Sequence, residues 1–259
     1  MMPVGRWCGV AAAGVAALMA GALIATPSQA AGDGAEIYLV QALPGRSLDV
    51  TIDGKTVAEG VAAAKVAGPF DVPAGSHRVS VADGDQVVVE KSVEVGGNDS
   101  SDVVVHLPAP GESEPVMTVY QNDLAAVPAD KAKLTVAHTA AVPPADITVN
   151  GKVLFRDIAN GEALDLIVPV ATYTIAIVPT GQEKPVYLGP LKLTVTGGAL
   201  NRVYAVGDPE QKTMNVVWHE IDVPTSGSQA PKRIDTGTGG QAAALNSGRE
   251  PLLWVDLTR

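Results

Sequence analysis

One cysteine occurs in 259 residues, and it is Cys8, inside an apolar leader. Nothing downstream can form a disulfide, a thiol nucleophile or a cysteine metal site. Aromatic residues are only 4% of the chain, few for a surface that stacks sugars. Basic residues are also scarce: 18 Lys and Arg stand against 28 Asp and Glu, a net charge of −10. Nucleic acid and anionic lipid headgroups both require Lys/Arg clusters, so neither is an expected partner. Beyond residue 24 no apolar run reaches the length of a membrane span, so the mature chain is expected to have none. No stretch after the leader holds a helical period. There is no Gly-x-Ser-x-Gly nucleophile turn and no glycine-rich loop opening a helix onto a phosphate. The expectation is a protein without cofactor and without enzymatic activity.

The leader itself is legible. Arg6 supplies a short positive region, residues 8–24 are apolar or small, and Ser28-Gln29-Ala30 offers small residues where a signal peptidase wants them. Residues 1–30 therefore read as a signal peptide cut after Ala30. A lipoprotein cysteine would stand at the cut, and Cys8 does not. The expected address is outside the cell, secreted or associated with the envelope, where stability must come from burial without disulfides.

The rest of the chain repeats. Residues 35–55 (AEIYLVQALPGRSLDVTIDGK) are answered by 132–152 (AKLTVAHTAAVPPADITVNGK) without a gap. FDVPAGSHRVSV (70–81) is answered by LIVPVATYTIAI (166–177), VEVGG (93–97) by LTVTGG (193–198), and MTVYQND (117–123) by NVVWHEID (215–222). Short β-branched runs recur about every ten residues, the mark of an all-β chain. Strands are expected in the first half near 36–42, 48–53, 76–82, 86–95, 102–107 and 116–121. In the second half they are expected near 133–138, 146–149, 152–155, 164–168, 172–178, 186–196, 202–206 and 214–220. Residues 57–67 are Ala-rich enough for a short helix, although Gly60 interrupts them. Asp53-Gly54 and Asn150-Gly151 fall at the same repeat position and predict type I′ hairpin turns. The reading is two modules, 35–123 and 132–222, joined by a polar link at 124–131. A Gly/Ser/Thr-rich tail follows at 224–259, with one apolar cluster at Leu252–Val255.

The motif order is D-(V/I)-T-(I/V)-(D/N)-G-K at Asp49–Lys55 and Asp146–Lys152, then Val72-Pro73-Ala74-Gly75-Ser76-His77 in the first copy only. This resembles the domain-of-unknown-function 4397 family of exported bacterial, often actinobacterial, surface proteins, in two tandem copies over 35–222. The loop at Gln41–Gly45, or His138–Val142 in the second copy, departs from the family's usual opening. The resemblance implies immunoglobulin-like or transthyretin-like β-sandwiches at the cell envelope. It implies no activity.

Several residues could carry chemistry. Asp235-Thr236-Gly237 spells the tripeptide of an aspartic protease, but such a site needs two carboxylates in an apolar frame, and this one lies in the tail. The histidines His77, His106, His138 and His219 pair in the repeat with Tyr173, Gly207, Gln41 and Gln121, so no metal site recurs in both copies; His138 and His219 could converge only at long range. Asp83-Gly84-Asp85 and Asn98-Asp99-Ser100-Ser101-Asp102 read as solvated turns rather than calcium loops. Asn98-Asp99-Ser100 also fits a glycosylation sequon. Val223-Pro224-Thr225-Ser226-Gly227 faintly echoes a sortase signal without the hydrophobic span that must follow it. Tyr120 and Trp218 occupy matching places on the last strand of each copy. They are the candidate ligand-facing aromatics of the alternative reading, a carbohydrate- or cell-wall-binding module; at the inner sheet face they would instead be core. The leading reading is a non-enzymatic envelope protein with a structural or interaction role. Its partner is unknown, with cell-wall glycan and another envelope protein as the candidates.

Overall fold

The computed structural model describes residues 34–227. They are all-β. The first half gives β1 (Ala35–Ala42), β2 (Ser47–Ile52), β3 (Lys55–Ala62), β4 (Lys65–Val72), β5 (Gly75–Asp83), β6 (Gln86–Val95), β7 (Ser100–His106) and β8 (Val116–Gln121). A short β9 (Val127–Pro128) follows. The second half gives β10 (Lys131–Ala140), β11 (Ala145–Val149), β12 (Lys152–Ile158), β13 (Ala163–Pro169), β14 (Thr172–Pro179), β15 (Leu188–Thr194), β16 (Ala199–Gly207) and β17 (Asn215–Asp222), and then β18 (Thr225–Ser226). Among the described residues no helix is long and apolar enough to cross a membrane.

Each half forms two four-stranded sheets in one order: β4-β1-β7-β8 with β3-β2-β5-β6, and β13-β10-β16-β17 with β12-β11-β14-β15. In each, the first strand runs parallel to the seventh, β1 beside β7 and β10 beside β16. Inward residues of the paired sheets close one apolar cluster per half. Ile37, Leu48, Val79 and Val103 belong to the first, Leu134, Ile147, Ile175 and Val203 to the second. The strands β7 and β16 are buried along their whole length. A parallel strand covered on both faces reads as unbroken apolar sequence, as at Val103-Val104-Val105. Their outer faces must therefore have a cover.

The hairpin turns follow the dipeptides. Asp53-Gly54 has φ of 51° and 77°, and Asn150-Gly151 has 50° and 76°, the left-handed pair a type I′ turn requires. The first side chain also reaches across to the next strand. Asp53 Oδ1 accepts from Arg78 N at 2.8 Å, and Asn150 Oδ1 accepts from Thr174 N at 3.0 Å. Asp49 and Asp146, which open the repeated block, each cap a bulge: Gly60 N donates to Asp49 Oδ1 at 2.7 Å, and Asp157 N to Asp146 Oδ1 at 3.0 Å. The register slips there in both hairpins.

Three sequence expectations change. The Ala-rich stretch at 57–67 is not helical: it supplies β3 and the start of β4, turning at Ala63-Ala64. Alanine favours helix, but Gly60 at φ 63° and the cover offered by β2 and β1 outweigh that preference. The link and the start of the tail are not simply loop, because β9 and β18 pair in parallel and Pro224 O accepts from Val127 N at 2.9 Å. Lastly, the match along the last strands shifts by one residue. Asp102 pairs with Tyr120 and Arg202 pairs with His219, so Tyr120 corresponds to His219, and Trp218 to Val119. The same register sets His106 against Val206 rather than Gly207.

Candidate functional site

The outer faces of β7 and β16 cover one another. Val40 and Val104 of the first half meet Ala137 and Tyr204 of the second, with Tyr120, Val206 and Val217, in a third apolar cluster. Val40 and Ala137, Val104 and Tyr204, and the flanking Val66 and Ala163 are matched repeat positions. Two copies of one surface thus pack as subunits do in an isologous dimer.

Polar side chains cross this junction. Asp102 of β7 is fully buried. Its Oδ2 accepts from Tyr204 Oη at 2.6 Å and from His219 Nδ1 at 2.8 Å, and its Oδ1 accepts from Asn122 Nδ2 at 2.9 Å. Burial alone would push the Asp102 carboxyl up; the bonds from His219, Tyr204 and Asn122 outweigh it and hold the group below the usual carboxylate range. Burial beside that carboxylate raises the Tyr204 phenol well above its ordinary value. The Tyr38 ring packs on His219 with centroids 4.4 Å apart. Burial, then Glu36, pushes the Tyr38 phenol up to about 12. Arg202, at the position matching Asp102, donates from Nη2 to the Gln121 carbonyl of the first half. Tyr120 donates to Gly161 O at 2.9 Å, and Lys133 pairs with Asp123 at 2.7 Å. Asn160 Nδ2 bridges Leu107 O at 3.2 Å and Ala140 O at 2.7 Å.

A carboxylate on an imidazole is the start of an acid–base relay, but the relay stops there. Among the described residues no hydroxyl is hydrogen-bonded to His219 except through Asp102, and a nucleophile must lie within that reach. Binding the halves is what the arrangement does chemically. No three His, Cys, Asp or Glu side chains among the described residues are grouped to hold a metal.

The other candidates fall elsewhere. His77 is a clamp: Nδ1 lies 2.7 Å from Asp53 Oδ2 and Nε2 lies 2.8 Å from Pro73 O. Both neighbours offer acceptors, so the protonated ring, with a proton on each nitrogen, is the form that satisfies both. Burial lowers its pKa, and Asp53 and Pro73 together raise it further, for a net rise. Tyr173, its counterpart, donates to Pro169 O at 2.8 Å. His138 is buried and neither ring nitrogen makes a well-formed hydrogen bond, although its own backbone and that of Pro143 lie near enough to oppose part of the lowering that burial imposes on its pKa. It does not meet His219, because β16 lies between their strands. His106 bonds Leu107 O and Thr118 Oγ1 at 2.8 and 2.9 Å. Asp83 and Asp85 are exposed in a hairpin turn. Asn98 is exposed, while Ser100 of the same sequon is buried and accepts from Asn122. Val223–Ser226 is tied to the body, with Val223 N on Gly198 O at 2.9 Å. Tyr120 lies in the junction, and Trp218 is half-buried against the second core. The two rings face opposite sides of their sheets and build no shared platform. Asp235–Gly237 and Leu252–Val255 lie outside the described residues.

A cleft of about 740 Å³ opens at the end of the junction, between loops at 107–113, 141–143, 185–187 and 208–211. Sequence reasoning missed it and the junction alike. The signal for the junction was the both-faces-apolar run at 103–105; for the cleft there was only a scatter of prolines.

Residues 35–145 match the family model described as Domain of unknown function (DUF4397). The match spans the first half and ends at the first residue of β11. No curated protein matches the chain.

Proposed function

We propose an exported, non-enzymatic protein of the cell envelope, with a structural or interaction role. Its halves, 35–123 and 132–222, are tandem β-sandwich modules of immunoglobulin-like or transthyretin-like kind, each a copy of the matched family. The leader at 1–30, cut after Ala30, supports export. One observation carries the non-enzymatic reading: the Asp102–His219–Tyr204 cluster is consumed in joining the halves, buried beneath apolar neighbours. The joined body then serves as a rigid frame for its loops. Against the sugar-binding alternative, Tyr120 packs in the junction and Trp218 partly against the second core, on opposite sides of their sheets. A protein partner is the better reading.

Fractionation of the producing cells, with zymograms of the purified protein on peptidoglycan, ester and peptide substrates, tests this. The expected result is protein in the extracellular or wall fraction and no hydrolysis. Retention in the cytoplasm, or a cleared zone, overturns it.

A further inference from the structure

The cleft at the end of the junction belongs to neither half alone. Its wall at 107–113 is the β7–β8 loop of the first half, and the other walls are loops of the second. Its volume is within the range of sites that hold a ligand, roughly 300–1,000 Å³. Its shape is fixed in advance. Five prolines stand in the lining (Pro108, Pro110, Pro143, Pro185 and Pro209), each with φ locked by its ring. The 208–213 turn is closed by Thr213 N on Asp208 O at 3.0 Å and Asp208 N on Thr213 Oγ1 at 3.0 Å. Asn160 ties the floors of the two halves together. A preformed site loses little conformational freedom on binding.

Its charge has one sign. Glu112, Asp208 and Glu210 line it and no Lys or Arg does; Lys184 and Lys212 are next in the chain but outside the lining. Asp208 Oδ1 already accepts from Glu210 N at 2.7 Å. The exposed Glu112 and Glu210 carboxylates have no partner among the described residues. The cleft also continues. Val186, 44% exposed, lines both it and a second hollow of about 390 Å³ over the outer face of β11 and β14. That hollow adds Glu183 and the 39% exposed Val153, again with no basic residue in the lining. A compact ligand would use one hollow. Two hollows sharing an exposed valine suit an extended chain whose side chains alternate.

We propose that this groove docks an extended segment of a partner protein, with lysine or arginine side chains toward Glu112 and Glu210 and an apolar side chain against Val186. The proposal rests on the interaction reading above and names its site. The probe is a fluorescent hexapeptide of alternating lysine and valine, blocked at both ends, titrated into the full chain at low salt. Saturable binding is expected, weakened about tenfold by the pair E112Q/E210Q and severalfold by V186S. Removing the same charge elsewhere, with D83N/D85N, should leave affinity within about twofold. These residues are exposed, and an unchanged melting curve shows that each variant folds. Equal loss from D83N/D85N, equal binding of a control hexapeptide of alternating glutamate and valine, or no saturation below millimolar overturns the proposal. So does displacement of the probe by a peptide of residues 249–259, which would make the chain's own end the occupant. If the probe fails while the protein is still exported and inert, the docking site falls and the envelope reading stands.

Discussion

The two halves share a strand order and meet the same backbone problems with different side chains. The first half clamps its Pro73 carbonyl with His77, the second its Pro169 carbonyl with Tyr173. Gln41 spans the first β1–β2 loop, bonding Leu43 N and O and Arg46 O; His138 fills that place in the second and makes no well-formed hydrogen bond. Where only a donor is required, the position is fixed and the residue is free. At the junction the logic reverses. Asp102 and Arg202 hold matched positions with opposite charge, and each reaches into the other half. Divergence there turns one repeated surface into two complementary ones.

The largest effect should come from removing that asymmetry. Asp102→Ala leaves His219 and the Tyr204 hydroxyl buried without their acceptor, and Asn122 with Ser100 alone. Breaking a buried charge network in this way costs about 3–5 kcal/mol. Arg202→Met should cost far less, under about 2 kcal/mol, because the guanidinium makes one bond to Gln121 O and leaves Nε unpaired. Denaturant midpoints for both variants check this. An Arg202→Met loss equal to that of Asp102→Ala would mean that the junction is held symmetrically.

Acid should act next, again unequally. Burial lowers the His106 pKa to about 4, below its unfolded value of about 6.5. Protonation therefore favours the unfolded chain. The stability His106 contributes is present above pH 6.5 and is lost as pH falls toward 4, by about 3 kcal/mol at most. The matched residue Val206 titrates nothing. His106→Val should flatten the stability–pH curve between pH 6.5 and 4, at some cost at neutral pH. His77 has the opposite sign: its pKa is raised, so its contribution is present below pH 6.5 and lost as pH climbs through its folded value. A variant curve as steep in acid as the parent's would remove His106 from the account.

Copying the better answer across the repeat should help. His138→Gln gives the second half the first half's loop clasp in place of a buried ring with no well-formed hydrogen bond. A gain of about 1 kcal/mol is expected, read as a higher denaturant midpoint. A loss would show that the 140–144 loop cannot present the acceptors that Leu43 and Arg46 offer.

What could be read from the sequence follows the same division. Turns were legible because Asp53-Gly54 and Asn150-Gly151 carry their geometry in two residues. The strands β12 and β13 were legible from β-branched and aromatic residues. Their counterparts β3 and β4 were hidden by the alanines of residues 57–67, a helix-favouring composition, although the repeat itself predicts both strands. The aromatic match failed for a geometric reason. Aligning Tyr120 with Trp218 by kind slips the strand by one residue, and one residue moves a side chain to the other face. Tyr120 belongs to the junction and Trp218 to a core. The run at 103–105 signals a strand covered on both faces but not what covers it, and the cleft depends on long-range pairing, which no local pattern encodes.

The smallest effect isolates backbone from side chain. At the bulge both halves need a left-handed residue, φ 63° at Gly60 and φ 58° at Asp157, and both cap it with the same aspartate. A side chain in that region costs about 1 kcal/mol, partly offset by the greater freedom glycine gives the unfolded chain. Asp157→Gly should therefore stabilise by about 0.5 kcal/mol, and Gly60→Asp should destabilise by a similar amount. A Cβ at Gly60 would meet nothing closer than Ser47 Oγ at 3.6 Å, so the penalty there is conformational rather than steric. The exchange made in both halves at once should leave the midpoint nearly unchanged, because the sites are independent. If Asp157→Gly destabilises instead, the long 3.4 Å contact from Thr180 Oγ1 to Asp157 matters more than the backbone, and the two bulges are equivalent in shape alone.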